Sequence, residues 1–173
     1  ENFSNKLSEN SDWTAKDSVC PKTPSHQLTI DRNSDIIRIC FLDLETTGLD
    51  KNEDKIIEIA IKCIEITKQN GSDIKVIDAY ESFEDPGFKI PEESIKIHGI
   101  TNEMVANKKI DWNYVENILN KAPLIIAHNA QFDRSFLDLN LELSKNKIWS
   151  CSINDINWEQ RGFNSFKQEL LAI

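Results

Sequence analysis

Three strand-length runs rich in Ile and Val, set close together, restrict the folds open to this chain more than any other feature. The first, "DIIRICFLDL" (35–44), is an almost unbroken apolar and β-branched run. Branching at Cβ stiffens χ1 and suits a pleated sheet, so the run reads as a strand buried on both faces. The second, "KIIEIAIKCIEI" (55–66), and the third, "DIKVIDAYESF" (73–83), are broken by single charges. Asn70-Gly71 lies between them, a dipeptide that accepts the positive φ angles of a tight hairpin. An antiparallel three-strand meander is expected.

Pro86-Gly87 and Pro91 then interrupt the pattern and mark a loop. Beyond it the period changes. "DWNYVENILNK" (111–121) opens on an N-cap candidate, Asp111, and carries Val115, Ile118 and Leu119 at helical spacing, which predicts a short amphipathic helix. "PLIIA" (123–127) predicts another short buried strand. "NAQFDRSFLDLNLEL" (129–143) predicts a helix with Phe132, Phe136, Leu139 and Leu143 along one stripe. "IWSCSI" (148–153) predicts a last strand, and "FKQELLAI" (166–173) is an incomplete helical pattern. A meander followed by alternating helices and strands is an α/β arrangement, a mixed sheet with helices packed on it. Residues 1–34, rich in Ser, Asn, Lys, Asp and Thr with no apolar period, read as a flexible polar tail or linker. The folded domain is then 35–173.

Composition narrows the function classes. With 173 residues and 39% hydrophobic content, the chain supports one domain with one core. Its apolar runs are far shorter than the roughly 18 residues that cross a bilayer. No secretory leader pattern follows Glu1, so a cytoplasmic protein without a membrane partner is expected. With Glu1 in place of an initiator Met, the numbering is expected to begin inside a longer natural chain. Cys20, Cys40, Cys63 and Cys151 are widely spaced and form no CxxC pair, which argues against a zinc cluster and predicts free thiols. The net charge of −9 excludes nucleic-acid binding by a broad basic surface, since non-specific affinity comes from Lys and Arg neutralising phosphates. A phosphate-handling site must be local, with divalent cations supplying its positive charge.

The chemistry-bearing residues gather where strands end. In "FLDLETTGLD" (41–50), Asp43 and Glu45 are two apart, and such side chains on a strand share a face. Two carboxylates held together repel, so one pKa rises or a cation joins them. Taken alone, the pair also suits exposed polar residues leading into a turn. The turn adds to it: Gly48 lets backbone approach a ligand, and Thr46 and Thr47 offer hydroxyls and amides to a charged substrate end. "AHNAQFD" (127–133) follows a strand and opens a helix. Asn129 is its cap candidate, and Asp133 falls in the first turns on the sheet rim, where α/β ligand sites gather. An Asp there also suits the helix dipole, a purely structural role.

"DLETTGL" (43–49), "HGIT" (98–101) and "HNAQFD" (128–133), in this order, resemble the first motif, the HGIT element and the second motif of the DnaQ-like, DEDD-type 3′-5′ exonucleases, relatives of the proofreading epsilon subunit of bacterial DNA polymerase III. The resemblance runs over residues 36–173. It implies an RNase H-like mixed sheet. It also implies four acidic residues holding two divalent metal ions, Mg²⁺ or Mn²⁺, which activate water for attack on the terminal phosphodiester and release nucleoside monophosphates from the 3′ end. Carboxylates are hard ligands suited to these ions, and a pair of cations about 3.5–4 Å apart stabilises the entering and leaving oxygens. Matched by position, Asp43, Glu45 and Asp133 are three of the four catalytic, metal-binding acids. The resemblance also places His98 and His128 near the nucleotide. Leu49 and Phe132 are candidates to pack on its base or sugar, although Phe132 on the apolar stripe also fits a core role. The expected substrate is single-stranded DNA in preference to RNA, the expected partner a DNA polymerase, and the setting replication or repair.

The family's third motif supplies the fourth acid, preceded by a His in one subgroup or a Tyr in another as general base. No His or Tyr follows Asp133 here, and neither Asp138 nor Asp155 has the motif's neighbours. "GFNSFKQELLAI" (162–173) resembles the helix that precedes that motif. The chain is therefore expected to stop short of the motif and to be inactive as it stands. The T-T-G and HNAxFD patterns resemble the His-containing DEDDh subgroup. The alternative is a catalytically inactive member of the same fold that binds nucleic acid or a polymerase.

Overall fold

In the computed structural model, which describes residues 34–67 and 73–167, the three Ile-rich runs are strands β1 (Ile36–Thr46), β2 (Ile56–Thr67) and β3 (Ile74–Phe83). They pair antiparallel as the expected meander. Strands β4 (Leu124–Ala127) and β5 (Ile148–Cys151) extend the sheet in parallel, β4 beside β1 and β5 beside β4. The order is β3-β2-β1-β4-β5, a mixed α/β sheet with the carboxylate-bearing strand at its centre. The tail but for Ser34, Asn70-Gly71, Cys20 and all but the first two residues of 166–173 lie outside the described residues.

Helices follow the meander: α1 (Glu92–His98), α2 (Asn102–Val105), α3 (Trp112–Asn120), α4 (Ala130–Asn140) and α5 (Glu142–Lys145). Asp111 caps α3 as expected, its carboxylate accepting from Tyr114 N–H at 3.0 Å. Val115, Ile118 and Leu119 of α3 are buried against Cys40, Leu42, Ile61 and Cys63 of the sheet. Burying each such aliphatic side chain contributes about 1.5–3 kcal/mol, which sets the sheet face that α3 covers. Among the described residues no helix is long and apolar enough to cross a membrane.

Four sequence expectations need correction. Strand β1 is buried on one face rather than two: Cys40, Leu42, Leu44 and Thr46 point into the core, while Phe41 and Asp43 are exposed. Secondly, the helix over 129–143 breaks at Leu141, whose φ of −143° is extended. Its buried side carries Ala130, Asp133, Arg134, Phe136 and Leu137, whereas Leu139, assigned to the apolar stripe, is 60% exposed. The helix is turned so that Asp133 faces β1, where it accepts from Leu44 N–H. Thirdly, a helix, α1, occupies part of the expected loop, between Pro91 as N-cap and Gly99 in the left-handed region (φ 77°). Lastly, Cys40 and Cys63 are bonded as a disulfide rather than free. They are direct partners in the β1–β2 register with Cα atoms 4.1 Å apart, and both are fully buried. Their separation in sequence hides that register.

Candidate active site

Strand β1 outruns its parallel neighbour. Pairing with β4 involves Ile39, Cys40 and Phe41, so the end of β1 that carries Asp43 and Glu45 has no strand on that side. A backbone N–H exposed by this gap must find another acceptor. Leu44 N–H finds Asp133, donating to Oδ1 at 3.1 Å. This bond joins the first turn of α4 to the backbone between Asp43 and Glu45. Asp133 is 2% exposed there, while Asp43 lies on the open face of the sheet. The carboxyl ends of the parallel strands thus bring together residues 89 positions apart.

The electrostatics show how crowded the acids are. Desolvation, then the charge of Asp43, pushes the Asp133 carboxyl up to about 8, against the opposing effect of its backbone hydrogen bonds. Glu45 rises to about 7 through desolvation, then Asp43, then Glu58. Asp43 is raised by desolvation, with His128 pulling the other way. Glu58, the direct partner of Glu45 in the β1–β2 register, is itself raised by desolvation and by Glu81 and Asp43. Glu58 is a candidate that the sequence reading missed. Its signal was the alternation of the second Ile-rich run, which sets Glu58 opposite Ile57 and Ile59. A cation among these oxygens would relieve the repulsion that raises them.

The donor chemistry suits hard divalent ions, since every group is a carboxylate oxygen. Among the described residues, however, no three His, Cys, Asp or Glu side chains converge tightly enough to hold a metal ion as they stand. One Asp133 oxygen is turned inward to Leu44 N–H, which takes it out of such a set.

The other expected site residues have distinct surroundings. Thr46 Oγ1 donates to the Gly48 carbonyl at 2.5 Å. Thr47 is buried; its hydroxyl donates to Asp54 at 2.9 Å and accepts from Lys55 N–H at 3.0 Å, so it is spent inside the turn. A Cβ on Gly48 would overlap the Asp54 carboxylate, so the turn itself calls for glycine here. Leu49 is 56% exposed. Phe132 is half-buried, packing on the core with its ring 5.0 Å from that of Phe136. His98 Nδ1 accepts from Ile100 N–H at 3.0 Å, its Nε2 is buried without a partner among the described residues, and desolvation lowers its pKa. His128 uses both ring nitrogens, Nδ1 with Ser152 Oγ at 2.8 Å and Nε2 with the Phe166 carbonyl at 2.6 Å. Asp43 and His128 line one open depression of about 570 Å³, with Phe41, Lys62, Ile126 and Trp158.

A family model described as exonuclease matches residues 40–164, which include Asp43, Glu45 and Asp133. The chain belongs to this exonuclease family. Curated members similar to it include a DNA polymerase III PolC-type of Thermotoga petrophila, 32% identical over 135 residues, with 77% of this chain and 9% of the relative covered. Another is the DNA polymerase III subunit epsilon of Buchnera aphidicola, 33% identical over 129 residues, with 68% of this chain and 52% of the relative covered. The chain thus spans about half the length of one relative and under a tenth of the other. Among solved structures, E. coli exonuclease I in complex with a 5cy-dA13 oligonucleotide aligns at a TM-score of 0.52 and 17% identity, over 68% of this chain and 28% of that one. Exonuclease I from Methylocaldum szegediense aligns at 0.51 and 18% identity, over the same shares. At such identities these two support the shared RNase H-like fold of the exonuclease family.

Proposed function

We propose that this protein is a metal-dependent 3′-5′ exonuclease that hydrolyses terminal phosphodiester bonds and releases nucleoside monophosphates, with DNA favoured over RNA. The observation that carries this reading is the Asp133–Leu44 bond. It brings a third carboxylate to the Asp43–Glu45 pair at the end of the central strand, where burial raises all three and the charge of Asp43 raises Glu45 and Asp133 further. A scaffold gains nothing from buried acids that repel. Asp43, Glu45 and Asp133 would hold two ions, Mg²⁺ or Mn²⁺. When bound, such ions offset the charge that develops on the phosphate and ease deprotonation of water. Asp43, on the open face, would be a ligand in reach of solvent; Glu45 would orient the attacking water; Asp133 would be held in place by its backbone bond. Similarity to polymerase III subunits supports DNA as substrate and a DNA polymerase as partner.

A second reading, a binding module for nucleic acid or a polymerase, is favoured by one observation. No three metal-ligating side chains among the described residues converge as they stand. A 5′-labelled single strand incubated with the full-length protein and Mg²⁺ or Mn²⁺ separates the two. Progressive shortening from the 3′ end, abolished in Asp43→Ala, is the expected result. Binding of the strand without shortening in either metal, on DNA and RNA alike, selects the module.

A further inference from the structure

Phe88 stands out among the exposed apolar residues because everything around it is fixed. It is 45% exposed. Before it, the two carboxylate oxygens of Asp85 accept from Gly87 N–H at 2.9 Å and from Asn107 N–H at 2.8 Å, and Asp85 N–H donates to the Lys108 carbonyl at 2.9 Å. After it, Ile90 is fully buried and its N–H donates to Asn102 Oδ1 at 2.8 Å. A single exposed Phe is ordinary on a protein surface. A rigid loop that presents one beside a cation is less so. The Lys55 ammonium lies over the ring, 5.7 Å from its centroid, and donates to the Pro86 carbonyl at 3.2 Å. Among the described residues Lys55 makes no ion pair, in a chain of net charge −9, whereas the neighbouring Lys89 is drawn to Glu92.

This platform is tied to the candidate active site through the backbone. Lys55 and Thr47 exchange two bonds, Thr47 N–H to the Lys55 carbonyl at 2.9 Å and Lys55 N–H to the Thr47 hydroxyl at 3.0 Å. Thr47 is the first residue past the end of β1, two beyond Glu45, and its carbonyl also accepts from the Ser94 hydroxyl at 2.7 Å, so the platform is anchored to the chain that leaves the carboxylate-bearing strand end. We propose that Phe88 and Lys55 form a subsite for single-stranded nucleic acid beside the carboxylates, the ring taking a base and the ammonium a phosphate. Stacking on an aromatic face accepts any base, and one local cation supplies phosphate attraction that the acidic surface as a whole does not. This inference rests on the exonuclease reading above and specifies where its substrate lies.

The test is fluorescence anisotropy of a 5′-fluorescein-labelled oligo(dT) strand with the full chain in EDTA, where no hydrolysis intervenes. Phe88→Ala should weaken binding about 5- to 150-fold, and Phe88→Trp should restore it. Lys55→Gln should weaken binding at low salt and reduce the slope of log affinity against log salt by about 0.7. Because both side chains are exposed, melting temperatures should stay at the wild-type value. Wild-type affinity in both Phe88→Ala and Lys55→Gln overturns the subsite, and if these variants still shorten a strand from its 3′ end in Mg²⁺ the exonuclease reading stands without it. A full-length wild-type protein that neither binds nor shortens any strand removes both.

Discussion

At the scale of single residues, Asp133 shows most directly how burial and function meet. Its carboxyl is pushed to about 8, while in the unfolded chain it ionises near its ordinary value of 3.8. Between these values the folded state holds a proton that the unfolded state has released. The associated stability is therefore fully present below about pH 4 and is lost as pH rises toward about 8. Glu45, raised to about 7, acts in the same direction over a narrower window. His98, with its lowered pKa, opposes them, so the wild-type curve alone is not diagnostic. A comparison is. In EDTA, Asp133→Asn should keep the bond from Leu44 N–H but flatten the fall in melting temperature between about pH 5 and about pH 8. Parallel curves for the two proteins would place the pH dependence elsewhere. The motif spacing made Asp133 legible as a candidate, but not its burial, because the bond to Leu44 spans 89 positions.

At the scale of elements, β1 and β2 share more than a hydrogen-bond ladder. Cys40 and Cys63 join them across a sequence separation of 23, on the core face directly behind the strand that carries Asp43. Closing a loop of that size restricts the unfolded chain by about 3 kcal/mol. Reduction should therefore lower the melting temperature by roughly 6–12 °C, and Cys63→Ser should be insensitive to reductant at the lower value. Calorimetry with and without a phosphine reductant checks this. Equal melting temperatures in both conditions would mean that the pair does not staple the strands. The strands themselves were legible because β-branched runs and turn residues act locally. The cysteine pairing was not, since a one-residue slip in register would have parted the two sulfurs.

At the scale of the whole molecule, the acids of the candidate site come from strands β1 and β2 and helix α4, and their repulsion is a property of the folded state alone. A divalent cation that relieves it binds the folded chain in preference to the unfolded one. Mn²⁺ at about a hundred times its dissociation constant should stabilise the fold by about 2.7 kcal/mol, read as a rise in melting temperature. Asp43→Ala should lose most of that rise; an equal rise in both proteins would mark non-specific binding. The sequence by itself determined the strand meander, the α/β class, the Asp111 cap and the residue types at the site, because periodicity, capping and turn chemistry are decided within a few neighbours. It also held the order of the motifs that marks the exonuclease family. Only the tertiary structure decided that β1 keeps one face open, that α4 turns Asp133 inward while Leu139 faces solvent, that Glu58 joins the acids, and that Cys40 meets Cys63. Each of these depends on register or contact between residues far apart in the chain, which no local pattern encodes.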